Sequence, residues 1–590
     1  MKQLIISVFL ILAISASTEA APALRGAMRV MQADGTWITV EQFGDEDHHW
    51  MTTADGVMVI NSGKGYYVAD IDDEGKLTAT TVLVHEAGQR SANERALVSR
   101  QLQRHTLFHQ RAKAPRRALG IGSGKYLPHS GSPRVLTILA AYKDLDFTVN
   151  DPVRAFDQLL NGEQQTDLGN HNQLNLGSVR KYFEGSSQNQ FSPQFDIVGP
   201  ITLPDSMAYY GGTNNNGSDD KFTEFCRDAL AQVEKDSLVA DWSLYDNDHD
   251  GTIELVCIVY AGYGQNQGGD VNTMWAKASH KNMAYNDQIK IGFFNCSCEL
   301  FYPAYADYIN GTGVFIHEFS HCMGLPDLYA TTSSAYVNNQ GMETWDIMDY
   351  GLYNYNGFAP CPYTAWEQEV LGWTEIETLT AGSQVTSLLP LIEGGKAYKF
   401  VNADNELNYI VMENIQRRGL NKKASGHGLL VYQVNYPNAS VNMTDAPNNK
   451  KGFPAVAVVP AGGLLISCYL RGSGKEYTME EWNASQACAP FPGAMDVRQL
   501  TDDMELPNYR FLGGEQRNVP QPVGYALQGI TEDETSGTVS FFVSDGADGI
   551  LPLYQREQLP DNGCYDLKGR RVVNPVKGLY IRHGRKVVVM

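Results

Sequence analysis

His317 and His321 stand four residues apart in the run His317-Glu318-Phe319-Ser320-His321. On a helix that spacing puts both imidazoles on one face, where they can share a single metal ion. Gly311-Thr312-Gly313 offers a start for such a helix, and Val314, Phe315, Ile316, Phe319 and Met323 supply its apolar residues. Glu318 lies about 100° further round, beside the metal and not on it, where a general base belongs. Gly324 lets the helix stop and the chain turn back, because glycine tolerates the left-handed conformation. That turn would bring Asp327 to the metal as a third ligand. Two imidazoles and one carboxylate leave a fourth position open for water, the arrangement of a catalytic zinc site. The chemistry is then hydrolysis: Glu318 takes a proton from water and returns it to the leaving amine.

Further along, Thr344-Trp345-Asp346-Ile347-Met348-Asp349-Tyr350-Gly351 resembles the methionine-bearing turn of metzincin peptidases. The strings His317 to Tyr329 and Trp345 to Gly351, then Ala365-Trp366-Glu367 and Leu371-Gly372-Trp373, resemble the immune inhibitor A family of secreted bacterial metallopeptidases. Gly177 to Phe183, Phe195 to Pro200, Tyr209 to Gly212 and Gly426 to Tyr432 resemble it too. The likeness spans roughly residues 30 to 545 and is strongest between 130 and 375. That family uses HExxHxxGxxD, so the resemblance implies Asp327 as a ligand and Met348 as a packing residue below the zinc. Tyr350 is a candidate donor to the tetrahedral intermediate or a structural tyrosine. His280 and His427 are lesser candidates for the same task, and each also reads as a surface or packing histidine.

A second metal is suggested by Asp246-Asn247-Asp248-His249-Asp250-Gly251-Thr252-Ile253-Glu254. Carboxylates at alternating positions and glycine at the sixth match the start of a calcium loop, with Asp246, Asp248, Asp250, Thr252 and Glu254 as candidate ligands. Position twelve is Cys257, which cannot supply the usual carboxylate, and Leu255 to Val259 reads as a buried strand. The loop is a variant calcium site of structural purpose or an acidic turn. Cys322 faces away from the histidines and reads as packing.

These residues need a scaffold. The fold expected is multidomain α+β: a metzincin-like α/β catalytic domain over 125–375, with zinc-binding helix and methionine turn, followed by all-β sandwich-like modules. Residues 1–20 read as a secretory signal peptide: Lys2, a short apolar run from Leu4 to Ile14, and a small-residue exit near Ala20 or Ala23. Residues 24–117 form a unit of hairpins followed by the basic helical connector Glu94 to Lys113, most simply a pro-region. It holds no cysteine, so a thiolate cannot silence the zinc; His48 or His49 is a candidate cap, or an ordinary surface residue. Residues 376–545 alternate in short β-like segments between Gly-, Asn- and Pro-rich turns. The basic β-like end, 550–590, resembles the C-terminal sorting modules of Gram-negative type IX secretion, or is a terminal cap. A peptide substrate would pair with an edge strand within 254–300.

At 590 residues the chain exceeds one core. Its net charge of −21 speaks against nucleic acid as a partner. Nine cysteines, none before Cys226, cannot all pair within one chain, and connectivity is open. No later stretch is long and apolar enough for a transmembrane helix. The reading is a secreted zinc endopeptidase acting on extracellular proteins, soluble or held at the surface of a Gram-negative cell. Its rivals are a surface adhesin that keeps the fold, and a zinc hydrolase of another substrate. Intact Glu318 weighs against the first, and the pro-region against the second.

Overall fold

The computed structural model describes residues 17–19, 21–24, 26–44, 49–62, 65–72, 76–108, 121, 126–163, 175–212, 219, 221–286, 289–303, 308–336, 338–438, 440–464, 466, 477–514, 517–546, 564–565, 578–582 and 585–589. The expected signal sequence before Ser17, His48, and the connector from 109 to 117 lie outside them.

A short strand, β1 (Ser17–Glu19), precedes a six-stranded antiparallel meander. Its strands are β2 (Met28–Met31), β3 (Trp37–Gly44), β4 (His49–Thr53), β5 (Met58–Asn61), β6 (Tyr66–Ile71) and β7 (Leu77–Leu83). Alternation sets its inner face: Ile38 and Val40 are buried while Trp37 between strand and turn is exposed. Helix α1 (Ala92–Phe108) covers that face with Val98. Buried Gln101 ties helix to sheet, its amide nitrogen donating to the carbonyls of Met58 (2.8 Å) and Ala69 (2.7 Å).

The sheet that positions the site is built from β1 and five later strands. These are β8 (Arg134–Ala141), β9 (Gln194–Thr202), β10 (Ile253–Tyr263), β11 (Lys277–Ala284) and β12 (Lys290–Leu300), in the spatial order β1-β11-β12-β10-β8-β9. The inner strands β12, β10 and β8 run parallel with the edge strand β9, and β11 is antiparallel to β12. Both faces of the parallel part are buried, which explains its near-continuous apolar sequence. Val135 and Leu139 of β8, with Leu255 and Val259 of β10, face one core. Leu136, Ile138, Val256 and Ile258 face the other. The first core is filled by helices α2 (Pro152–Asn161), α3 (Val179–Ser186) and α6 (Thr312–Cys322). The second is filled by α4 (Met207–Gly211) and α5 (Phe222–Lys235). A short helix, α7 (Ala365–Val370), follows the turn at Asp346–Gly351. This is a mixed α/β architecture.

Beyond Trp373 two sheets face each other. One contains β13 (Glu377–Thr378), β15 (Ala397–Asn402), β16 (Asn405–Ile415), β17 (Gly428–Asn435) and β18 (Val456–Val458); the other contains β14 (Gln384–Leu388), β19 (Gln499–Leu500), β22 (Tyr525–Asp533) and β23 (Thr538–Asp545). Phe400, Ile410 and Val431 of the first pack with Leu527, Val539 and Phe541 of the second. The pair β20 (Phe511–Gly513) and β21 (Val519–Gln521) sits beside them. The expectation of an all-β region needs one correction, because helix α8 (Met479–Ala487) interrupts it. A capping box starts that helix, with Thr478 and Glu481 satisfying each other's backbone N–H groups. Near the C-terminus β24 (Cys564–Tyr565), β25 (Gly578–Arg582) and β26 (Arg585–Val589) form an antiparallel sheet. Among the described residues no helix is long and apolar enough to cross a membrane.

Candidate active site

Helix α6 is buried along its whole length, so its polar residues point into protein. It can approach the 3-10 segment Tyr350–Gly357 closely because Gly313 has no side chain; a Cβ there would collide with the Leu352 carbonyl. The helix ends as its sequence requires. Gly324 takes φ +102°, its N–H bonds the His321 carbonyl at 2.9 Å, and Leu325 N–H bonds Ser320 O at 3.2 Å. The reversed chain then brings Asp327 back under the helix.

There His317, His321 and Asp327 meet, their ligand atoms all within 4.8 Å of one another. His317 Nδ1 lies 2.8 Å from the Ile347 carbonyl, and His321 Nδ1 lies 2.7 Å from the Leu325 carbonyl. A carbonyl only accepts, so each Nδ1 carries the proton and each Nε2 presents a lone pair. Those two Nε2 atoms are 3.2 Å apart, and Asp327 Oδ1 is 3.3 Å from each. Burial holds His317 below its usual range, hence neutral. Both oxygens of Asp327 are buried without a hydrogen-bond donor. Two lone pairs and a bare carboxylate converging in a dry interior repel one another unless a cation lies between them. The donor set fits a divalent ion with nitrogen and oxygen preference, zinc foremost.

The two backbone carbonyls that fix the histidines belong to the turns on either side. Met348 is fully buried; its N–H bonds Asp346 Oδ1 at 2.7 Å, and its carbonyl accepts from Leu328 N–H at 2.8 Å. The methionine turn is thereby tied to the residue following Asp327. Tyr350 is buried, its ring against Tyr329 and Trp482.

Glu318 is fully buried and its Oε1 accepts a hydrogen bond from the backbone N–H of Ala21. An N-terminal segment therefore runs through the cleft beside the histidines. Before Ala21, β1 pairs antiparallel with β11, Ser17 opposite His280 and Glu19 opposite Ala278. After it, the main chain is held at each step. Trp275 Nε1 donates to Ala21 O (2.9 Å), the Tyr353 hydroxyl to Pro22 O, and Leu24 N–H to Asn266 O (2.9 Å). Ala23 packs on Trp275 and gives its N–H to Gly44 O at 2.8 Å. With β1 set aside, β11 is the outermost strand on this side of the sheet, within the 254–300 region where a substrate-pairing edge is expected. Composition gave no hint of Trp275 or Tyr353, since neither belongs to a spaced motif.

The other histidines stand elsewhere. His49 packs its ring on Trp275 at 4.3 Å and reaches Gln265 at 3.1 Å, so it buttresses the cleft segment. His280 lies on β11 against Phe293, and His427 pairs with Glu532 at 2.8 Å in the β-rich region. Cys322 is a buried free thiol, as are Cys226, Cys257, Cys296, Cys298 and Cys361.

In the acidic loop, Asp246, Asp248 and Glu254 gather oxygens within 4.8 Å. Asp246 Oδ1 and Oδ2 accept the N–H groups of Asp250 and Gly251, both near 3 Å. Glu254, buried, caps Asn247 and Asp248 N–H. Asp250 accepts Thr252 N–H at 2.9 Å, and the structure brings together three of the four acidic candidates.

A buried His, His, Asp set beside a glutamate that faces a peptide N–H defines the site of a metallohydrolase. Residues 145–373 match the family described as immune inhibitor A peptidase M6, catalytic domain. The pre-pro-metalloprotease PrtV of Vibrio cholerae serotype O1 is 25% identical over 317 residues, covering 48% of this chain and 33% of that protein. Immune inhibitor A of Bacillus thuringiensis subsp. alesti is 22% identical over 220 residues, covering 34% of this chain and 31% of its own length. The chain thus spans about a third of the curated relatives it matches.

Proposed function

We propose that this protein is a secreted, zinc-dependent endopeptidase with a metzincin-like catalytic domain, made as a latent precursor and acting on extracellular proteins. The observation that carries the reading is the hydrogen bond from a peptide N–H to Glu318, beside three ligands that need a cation. His317, His321 and Asp327 would hold zinc, which supplies Lewis-acid polarisation of the carbonyl and of water. Glu318 takes the proton from the attacking water and returns it to the leaving nitrogen. Ala21 N occupies the position where that nitrogen would stand. The β11 edge holds a substrate as an added antiparallel strand. Tyr350 and Tyr353 are both candidates for steadying the tetrahedral intermediate.

The family match over residues 145–373, and a relative named as a metalloprotease, support this reading. Residues 17–19 and 21–24 fill the cleft, so in the precursor no substrate can enter. Cleavage near Ala20 would make Ala21 N a terminal amine still facing Glu318 and leave residues 21–24 in place, and release awaits a cut near the basic connector at 109–117. Trp275→Phe tests that hold. It leaves the buried Ala21 carbonyl without its donor, a loss of about 1–3 kcal/mol, so residual activity of the uncut precursor should rise roughly 5- to 160-fold.

Asp246, Asp248 and Glu254 form the heart of a structural calcium loop at the entry to β10, and the C-terminal sheet is read as a type IX sorting module. The test of the whole reading is casein cleavage by the full chain before and after limited trypsin digestion, followed by chelation and metal return. Cleavage should appear only after digestion, vanish with chelator and return with zinc; added calcium should raise the thermal midpoint without being needed for turnover. Cleavage indifferent to chelator would sink the proposal.

A further inference from the structure

Five carboxyl side chains are buried around the turn that holds His317: Glu343, Asp346, Asp349, Glu367 and Glu413. Three take donors from groups outside the set. Asp349 takes the N–H groups of Met342 (2.9 Å), Glu343 (2.8 Å) and Tyr350 (2.9 Å). Glu413 Oε1 takes Ala365 N–H and the Tyr432 hydroxyl, both at 2.9 Å. Glu343 Oε2 takes the Trp482 indole at 3.1 Å. The remaining two share the Thr364 hydroxyl and lie within hydrogen-bonding reach of each other. Asp346 receives Met348 N–H through Oδ1 and Thr364 Oγ1 (3.4 Å) through Oδ2. Glu367 Oε2 receives Thr364 N–H (2.7 Å) and Oγ1 (3.0 Å), while Glu367 Oε1 is buried with no donor.

An ionised Oε1 there would be a bare charge beside another carboxylate. Two carboxyls in contact and out of water share one proton, since both cannot ionise together. Asp346, with its short bond from Met348, is the acceptor, and Glu367 the donor. We propose that Glu367 is a positioning residue that works only in its protonated form: its O–H is donated to Asp346, and this shared proton holds the turn whose Ile347 carbonyl fixes the His317 ring. The chain of bonds runs from the capping box of α7, through Asp346 Oδ1 and Met348 N–H, to Ile347 O and His317 Nδ1.

The surroundings favour retention of the proton. Facing the pair are Glu413 on β16, Asp349 on the turn itself, the phenols of Tyr182, Tyr363 and Tyr432, and the thiol of Cys361. Burial foremost, then Asp346, pushes Glu367 well above the usual carboxylate range; burial also raises Asp346. A carboxyl raised on folding binds more protons folded than unfolded, so its contribution to stability is lost as pH rises. Alkali therefore breaks the latch by setting two carboxylates against each other.

This inference rests on the peptidase reading for its activity arm and stands apart from it in a spectroscopic arm. In Glu367→Gln the amide N–H can replace the O–H toward Asp346, yet cannot ionise. With the full chain, trypsin-activated and zinc-saturated, the kcat ratio of Glu367→Gln to wild type should climb by about tenfold per pH unit once the wild-type pair loses its proton. KM should stay similar. A ratio flat from neutral to alkaline pH would overturn the proposal. Infrared spectra of the uncut full chain give the second reading. Wild type should retain a carboxylic-acid C=O stretch at neutral pH that fades in alkali, and Glu367→Gln should lack one carboxyl's share of it. Absence of that band in wild type at neutral pH would refute the shared proton even if the variant failed to fold, or if no substrate were ever cleaved.

Discussion

Glu318→Gln should abolish casein cleavage by the trypsin-activated chain, a loss of about 10²–10⁴-fold in kcat, while zinc content stays at that of wild type. The argument is local. Glutamine keeps the size of the fully buried side chain, and its amide oxygen can still accept the Ala21 N–H that Glu318 Oε1 accepts. The three proposed ligands are His317, His321 and Asp327, whose geometry is fixed by other groups. What glutamine cannot do is take a proton from water and return it to the leaving nitrogen. Turnover and metal content together read the role: loss of both would mean that Glu318 shapes the site, and loss of neither that hydrolysis uses another base.

Some of this was legible in the chain because its causes are local. The four-residue spacing of His317 and His321 and the turn at Gly324 are properties of one helix and its end, so Asp327 could be named from its offset alone. The strand after the acidic loop was likewise legible from continuous apolar residues, since β10 is covered on both faces. Trp275 and Tyr353 were not. They hold Ala21 and Pro22 across 254 and 331 positions of sequence, and no periodicity records such a partnership. Glu367 hid for the opposite reason. A glutamate three residues after Thr364 is fully explained as a capping box, so the sequence offers no reason to look for its other oxygen. Helix α8 carried the same signal at Thr478 and Glu481, set within β-like surroundings that outweighed it.

Asp327→Ala should change stability in opposite directions with and without metal. Without a cation, wild type holds a carboxylate 1% exposed and without hydrogen-bond donors, its Oδ1 3.3 Å from two imidazole lone pairs. A buried, uncompensated carboxylate costs several kcal/mol even after relaxation. Its removal leaves a small void beside Oδ1's former neighbours, a lesser penalty. The thermal midpoint of the variant in chelator should therefore lie above that of wild type in chelator. With zinc the order reverses. Zinc at a thousand times its Kd stabilises a fold that binds it by about 4 kcal/mol. A site reduced to two imidazoles forfeits most of that gain, and casein cleavage with it. Paired melting curves, each protein with chelator and with zinc, measure the crossing directly. If Asp327→Ala melted below wild type in chelator, the carboxylate would be compensated without metal, as by a protonated imidazole, and the requirement for a metal cation between these three side chains would fall.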